Sequence, residues 1–153
     1  MQTRRVTVRG IVFKDGKLFA QKLKTEDGGS ADFWCIPGGG VDAGEAILDA
    51  LHREMIEETG VAPEIGRLLY VQQYAHGDRE FLEFFFHVKN ADDYDTIDLA
   101  ATSHGEAEVA ECGFVDPARE NILPEFLQHR DITTDLNDIT YVEILDNLNK
   151  AGR

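Results

Sequence analysis

"PGGGVDAGEAILDALHREMIEETGV", Pro37 to Val61, opens on three glycines, continues as a helix and ends in a knot of charge at Arg53, Glu54, Glu57 and Glu58. Leu48, Leu51 and Met55 recur at i, i+3 and i+7, which predicts a helix from about Glu45 to Glu58 with those three facing the core. At about 3.6 residues per turn, Glu54, Glu57 and Glu58 share one face beside that stripe, at the border of the core. Like charges so spaced weaken a helix by roughly a few tenths of a kcal/mol per pair, and acids near its C-terminal end oppose the dipole. Gly60 stands where a helix of this length would stop in a left-handed residue. Local energetics thus argue against the cluster, which is either a solvated charged face or a seat for a cation.

The glycines favour the second reading. A glycine backbone can approach a ligand closely, and a bare carbonyl beside several carboxylates is a hard-oxygen donor set suited to magnesium or manganese. Outside this stretch the chain reads as short elements. "RRVTVRGIVF" is a strand, Asp15-Gly16 a turn, and "KLFAQKL" its expected hairpin partner. "EIGRLLYVQQYA" and "EFLEFFFHVKN" flank "HGDR" as a second antiparallel pair, and "ECGFVDP" is a further short strand. "KTEDGGSADF" and "ADDYDTIDLAATSHGEAEV" read as loops, and "PAREN" with "PEFLQHR" as a broken helical segment around Pro124. "ITYVEILDNLNK" predicts a last amphipathic helix carrying Tyr141, Ile144, Leu145 and Leu148. Strands and helices mix without regular βαβ alternation, so the class is α+β with a mixed-sheet sandwich.

The 153 residues fit one domain, 1–153, large enough to bury a core without disulfides. No apolar run approaches the length of a membrane span, and no apolar segment follows the basic "MQTRR", so a cytoplasmic location without a membrane partner is expected. Cys35 and Cys112 form no C-x-x-C pair and read as buried structural thiols. A net charge of −14 disfavours duplex nucleic acid as a partner. It does not exclude an anionic substrate, because a divalent cation reverses the local field.

Gly39, Glu45 and the run Arg53-Glu54-Met55-Ile56-Glu57-Glu58-Thr59-Gly60-Val61 resemble the Nudix box, G-x5-E-x7-R-E-U-x-E-E-x-G-U, with Met55 where a branched aliphatic is usual. "WCIPGGGVDAGE" is similar to the family's lead-in, and "ECGFVDPAR" to its late strand, with Phe114 where tryptophan is common. The resemblance implies an α/β/α sandwich and a magnesium- or manganese-dependent hydrolase. Its substrate would be a nucleoside diphosphate linked to another moiety, such as a nucleoside triphosphate, nucleotide sugar or dinucleotide, attacked by water at phosphorus. It implies Glu57 and Glu58 as principal metal ligands, joined by Glu54 and the Gly39 carbonyl, with Arg53 orienting the acids. Glu45 is then a helix-start stabiliser or an accessory to the metal.

The proton acceptor in this family is a box glutamate or a later acid; here the later candidates are Glu106, Glu108 and Glu111, any of which is otherwise a solvated loop acid. Glu83 either faces a pocket or lies on the solvated side of its strand. Trp34 reads as core or loop anchor before base-stacking platform, Tyr70, Tyr74, Phe81 and Phe84 to Phe86 mainly as core with one or two open to lining a base pocket, and Arg4, Arg5, Arg9, Lys22 and Lys24 as a solvated strand face with some phosphate contact. His76, His87 and His104 lack partners at ligand spacing and are left unassigned, and no substrate-binding residue is assigned. Two other functions fit the fold: a catalytically silent nucleotide-binding sensor, which the intact acids oppose, and an isoprenoid diphosphate isomerase, whose extra motifs are missing. RNA decapping is a substrate variant that the acidity opposes. Monomer and homodimer are both compatible.

Overall fold

The computed structural model describes residues 3–138 and 142–147. Its strands are β1 (Thr3–Ile11), β2 (Phe13–Lys14), β3 (Lys17–Leu23), β4 (Trp34–Cys35), β5 (Gly38–Gly40), β6 (Ile65–His76), β7 (Arg79–Val88), β8 (Val109–Val115), β9 (Ile122–Leu123) and β10 (Glu143–Asn147). The helices are α1 (Ile47–Thr59), α2 (Gly105–Glu108) and α3 (Ile132–Asn137), with short 3-10 turns between them. One sheet runs β10-β6-β7-β1-β5 and mixes parallel and antiparallel pairs; the other runs β2-β3-β4-β9, with β8 also on β3.

Alternation distributes the phenylalanine run of β7 between two cores. Phe85 joins a cluster with Ile11, Leu18, Ile36, Tyr70 and Leu127, while Phe84 and Phe86 pack on the cluster of Val8, Phe19, Ala50, Leu51 and Met55 beneath α1. The mixed sheet therefore has helical cover over Phe84 and Phe86, and the segments around Leu127 and Ile132 cover the other side. This is the expected mixed-sheet sandwich. No helix among the described residues is long and apolar enough to cross a membrane.

Several expectations change. The Asp15-Gly16 turn is present, Asp15 with φ 53 and Gly16 with φ 76, but only the two-residue β2 pairs with β3 across it. Ile11 and Val12 are both fully buried, in different clusters, so the chain crosses between sheets there and β1 pairs instead with β7 and β5. The expected last helix is a strand over Glu143–Asn147, parallel to β6; Tyr141 and Leu148 lie outside the described residues. An edge of the sheet needing backbone partners outweighed helical periodicity there. Leu48 is 49% exposed, so the α1 stripe is Ala50, Leu51 and Met55, with Ile47 partly buried against it. Cys35 is buried as expected, whereas Cys112 is only partly so; neither forms a disulfide among the described residues.

Candidate active site

Arg53 is the hub of the acidic face. Its Nε and Nη2 donate to both Glu45 oxygens (2.8 and 2.9 Å), Nη1 to Glu54 (2.9 Å) and Glu57 (3.2 Å), and Nη2 also to the Gly40 carbonyl (3.0 Å). A planar five-donor guanidinium does this where an ammonium cannot. Bonds from Arg53 and the Asp42 N–H hold the Glu45 carboxyl down to about 2, and Glu45 in turn raises the Arg53 pKa. Glu45 is thus committed to Arg53, a third role beside the two expected of it. The helix begins behind Ala46, which has no capping side chain, and ends as expected at Gly60 (φ 76), whose N–H donates to the Ile56 carbonyl.

The three acids are not equivalent. Glu58 is buried; its Oε2 accepts from Gln21 Nε2 at 3.0 Å and from the Gly38 N–H at 3.1 Å. Burial pushes the Glu58 carboxyl up to about 7, against the pull of Gln21, Arg9 and Gly38. Glu54 is also raised, by burial first, with Arg53 opposing and Glu57 adding repulsion. His104 Nδ1 lies 3.1 Å from a Glu57 carboxylate oxygen, and the Glu57 backbone carbonyl accepts from the His104 N–H. Gln21 and His104 were beyond sequence reasoning: β3 and the loop before α2 reach α1 only through long-range pairing.

The glycines are shaped for contact. A Cβ at Gly38 (φ 141) would lie 2.1 Å from the Val8 carbonyl oxygen, and one at Gly39 2.6 Å from the Glu54 carboxylate. At Gly40 it would lie 2.7 Å from Arg5 Nη2. Among the described residues no three His, Cys, Asp or Glu side chains stand ready-made as a metal cluster. Arg53 draws Glu54 and Glu57 to itself, while Glu58 faces Gln21 and Gly38. The donor set nevertheless fits a hard divalent cation: three carboxylates on one helical face, closely approached by a side-chain-free backbone.

No hydrogen bond or ion pair among the described residues joins the later acids to these. Glu106, Glu108 and Glu111 are exposed, and Glu111 stands across from Lys22 in the β3–β8 ladder. Their segment still docks on α1, since a Cβ at Gly105 would meet the Glu58 carbonyl at 2.2 Å. Glu83, open to two readings in sequence, is fully buried and accepts from Arg9 Nε (3.0 Å) and Gln72 Nε2 (3.3 Å). Trp34 packs partly buried on the core with Lys22 over its ring.

Beside Gly39 a cavity of about 270 Å³ opens on the mixed sheet. Arg5, Thr7 and Arg9 line it from β1, and Tyr74, His76 and Phe81 from β6 and β7. Residues read as strand face and core thus form a wall next to the acids.

A family model described as the NUDIX domain matches residues 3–136. An ADP-ribose pyrophosphatase of Methanocaldococcus jannaschii is 39% identical over 75 residues, 49% of this chain and 42% of that protein. An RNA pyrophosphohydrolase of Caulobacter vibrioides is 31% identical over 105 residues, 60% of this chain and 61% of that one. The match thus spans 42% and 61% of these two relatives' own lengths. Among solved structures, the E. coli ORF135 protein superimposes with a TM-score of 0.69 at 19% identity, over 92% of this chain and 96% of that one, a likeness of fold. With its box intact from Gly39 to Val61, the chain belongs to the Nudix hydrolase family.

Proposed function

We propose that this chain, acting as one domain, hydrolyses a diphosphate linkage in a nucleoside diphosphate joined to another moiety, with a divalent cation, magnesium or manganese, as cofactor. One observation carries the reading: the half-buried Glu54 and Glu57 and the buried Glu58 lie on one helical face, organised by Arg53 and closely approached by Gly39. Nudix hydrolases generally use divalent cations, and the relatives named above are a pyrophosphatase and a pyrophosphohydrolase. The Gly39 carbonyl, Glu54, Glu57 and Glu58 would hold the cation, which supplies neutralisation of the diphosphate charge and acidifies water.

The chain's own groups do the rest. Arg53 holds the carboxylates of Glu54 and Glu57 side by side and favours their charged form. Glu45 keeps Arg53 aimed, and His104 stands beside the same Glu57 oxygen that Arg53 bonds. The proton from the attacking water goes to one of the box acids or to Glu106, Glu108 or Glu111, whose segment docks on the end of α1. Arg5, exposed beside Gly40, takes phosphate oxygens. The intact acids oppose the reading as a silent sensor.

The test is a panel of nucleoside triphosphates, nucleotide sugars, dinucleoside polyphosphates and coenzymes incubated with the protein and magnesium. A nucleoside monophosphate should be released from at least one. Inertness towards the whole panel, with manganese as well as magnesium, overturns the proposal.

A further inference from the structure

The cavity beside Gly39 is lined by two guanidinium groups, which only donate, beside two hydroxyls and an imidazole. Arg5, Thr7 and Arg9 alternate along one face of β1, so three polar groups point the same way at a spacing of about 7 Å. Arg5 makes no hydrogen bond or ion pair among the described residues, although the protein carries a net charge of −14. Arg9 is anchored by Glu83 through Nε and by the Ile36 and Gly38 carbonyls through Nη1, which leaves Nη2 without a hydrogen bond among the described residues. The lining contains no carboxylate and no side-chain amide.

Thr7 is the informative residue. It is 3% exposed, and its Oγ1 has no hydrogen-bond partner among the described residues. A buried hydroxyl left unpaired costs roughly 1–3 kcal/mol, so such a group usually has a partner in the working state. Beside Arg5 on the neighbouring strand, the partly exposed Phe81 ring is backed by Tyr74 at 4.8 Å with an interplanar angle of 5°, giving a flat aromatic wall. At about 270 Å³ the space sits just below the usual range of small-molecule pockets, roughly 300–1,000 Å³, and suits one ring system rather than a whole dinucleotide.

We propose that this cavity holds the base of the substrate, and that Thr7 with Arg9 selects a base whose edge presents carbonyl acceptors, such as guanine or uracil, over adenine. This rests on the diphosphate-hydrolase reading and names the nucleotide class it takes. The base stacks on Phe81, its carbonyl edge meets the Thr7 hydroxyl and the free side of the Arg9 guanidinium, and the phosphates pass Arg5 towards Gly39. Arginine pairs with guanine O6 and N7, and the unbonded Nη2 of Arg9, which can only donate, cannot receive the adenine amino group. Aromatic stacking supports any base, so discrimination comes from the polar edge.

The experiment is calorimetric titration of the full chain with GMP, UMP and AMP, a readout independent of turnover. GMP or UMP should bind about tenfold more tightly than AMP. Thr7→Val, which keeps the shape and removes the hydroxyl, should cut that preference to less than about threefold without lowering the melting temperature, and Thr7→Ser should keep it. Tighter binding of AMP, equal binding of all three, no binding of any, or a Thr7→Val variant that melts earlier with its preference intact overturns this inference. None of those results touches the hydrolase reading, which falls only with inertness across the panel above.

Discussion

Arg53 and Glu45 form a two-pronged ion pair, Nε to Oε2 at 2.8 Å and Nη2 to Oε1 at 2.9 Å, across the turn that leads from the glycines into α1. Every other contact of Arg53 depends on this anchor, because it fixes the plane of the guanidinium. Replacing Arg53 by Lys keeps the charge and loses the plane. One ammonium cannot serve Glu45, Glu54, Glu57 and the Gly40 carbonyl together. We expect Arg53→Lys to lower stability in urea by about 1–3 kcal/mol and kcat/KM by roughly 100-fold. Activity and stability both at wild-type level would refute the hub role.

Adjacent glycines should fail in different ways. A Cβ at Gly38 meets backbone, the Val8 carbonyl oxygen at 2.1 Å and Arg9 Cα at 2.8 Å, in a left-handed conformation that side chains resist. Gly38→Ala should cost about 3 kcal/mol or more, read by denaturant unfolding. At Gly39 the clash is with the movable Glu54 carboxylate at 2.6 Å. Gly39→Ala should therefore fold with little loss and yet lose about 100-fold in kcat, as Glu54 is pushed aside. If the two variants prove equally stable and equally active, the crowding read here is wrong.

Glu57 reaches Arg53 and His104 from the half-buried rim of the site. Glu57→Gln preserves an acceptor oxygen and removes the charge. We expect the rate to fall on the order of 100-fold or more, with the melting temperature moving by less than about 4 °C. Turnover like the wild type would reduce this acid to surface charge.

The buried Glu58 sets a pH dependence for the metal-free protein. Its folded pKa is about 7 against an ordinary 4.5, so between these values the folded state binds more protons than the unfolded one. Stability from this group accordingly falls as pH rises from 4.5, and the loss is complete above about 7; it is on the order of 3 kcal/mol. Glu45, held at about 2, acts in the opposite direction: its contribution is present above 4.5 and disappears as pH falls towards 2. In EDTA, thermal melts should show a decline from pH 5 to pH 8 that Glu58→Gln largely abolishes. An equal decline in the variant would assign the effect to other groups.

The box from Gly39 to Val61 was readable because its information is local. Spacing along one helix puts Glu54, Glu57 and Glu58 on a single face, and Gly60 ends that helix whatever packs around it. Periodicity also gave the β6–β7 hairpin around "HGDR", where the turn and both partners are contiguous. It misjudged Leu48, exposed in spite of its place in the stripe, because burial depends on which side of α1 meets the sheet. The same limit applies to β1, whose partners β5 and β7 are distant in sequence, and to the strand at Glu143–Asn147 that reads as a helix in isolation.

That limit separates the two halves of the site. Which acids belong together is written in a stretch of residues each within a few helical turns of the next. How they are tuned is not: Gln21 on β3 and Gly38 on β5 bond the Glu58 carboxylate, and His104 reaches Glu57 from a loop beyond β7. Arg5 and Arg9 read as a solvated strand face until the β1–β7 pairing sets Arg5 beside Phe81 and the β1–β5 pairing sets Arg9 beside Gly38. Side-chain spacing within a helix follows from its geometry alone. Strand pairing across dozens of residues is chosen by the packing of the whole core, and that choice converts a charged strand into the wall of a pocket.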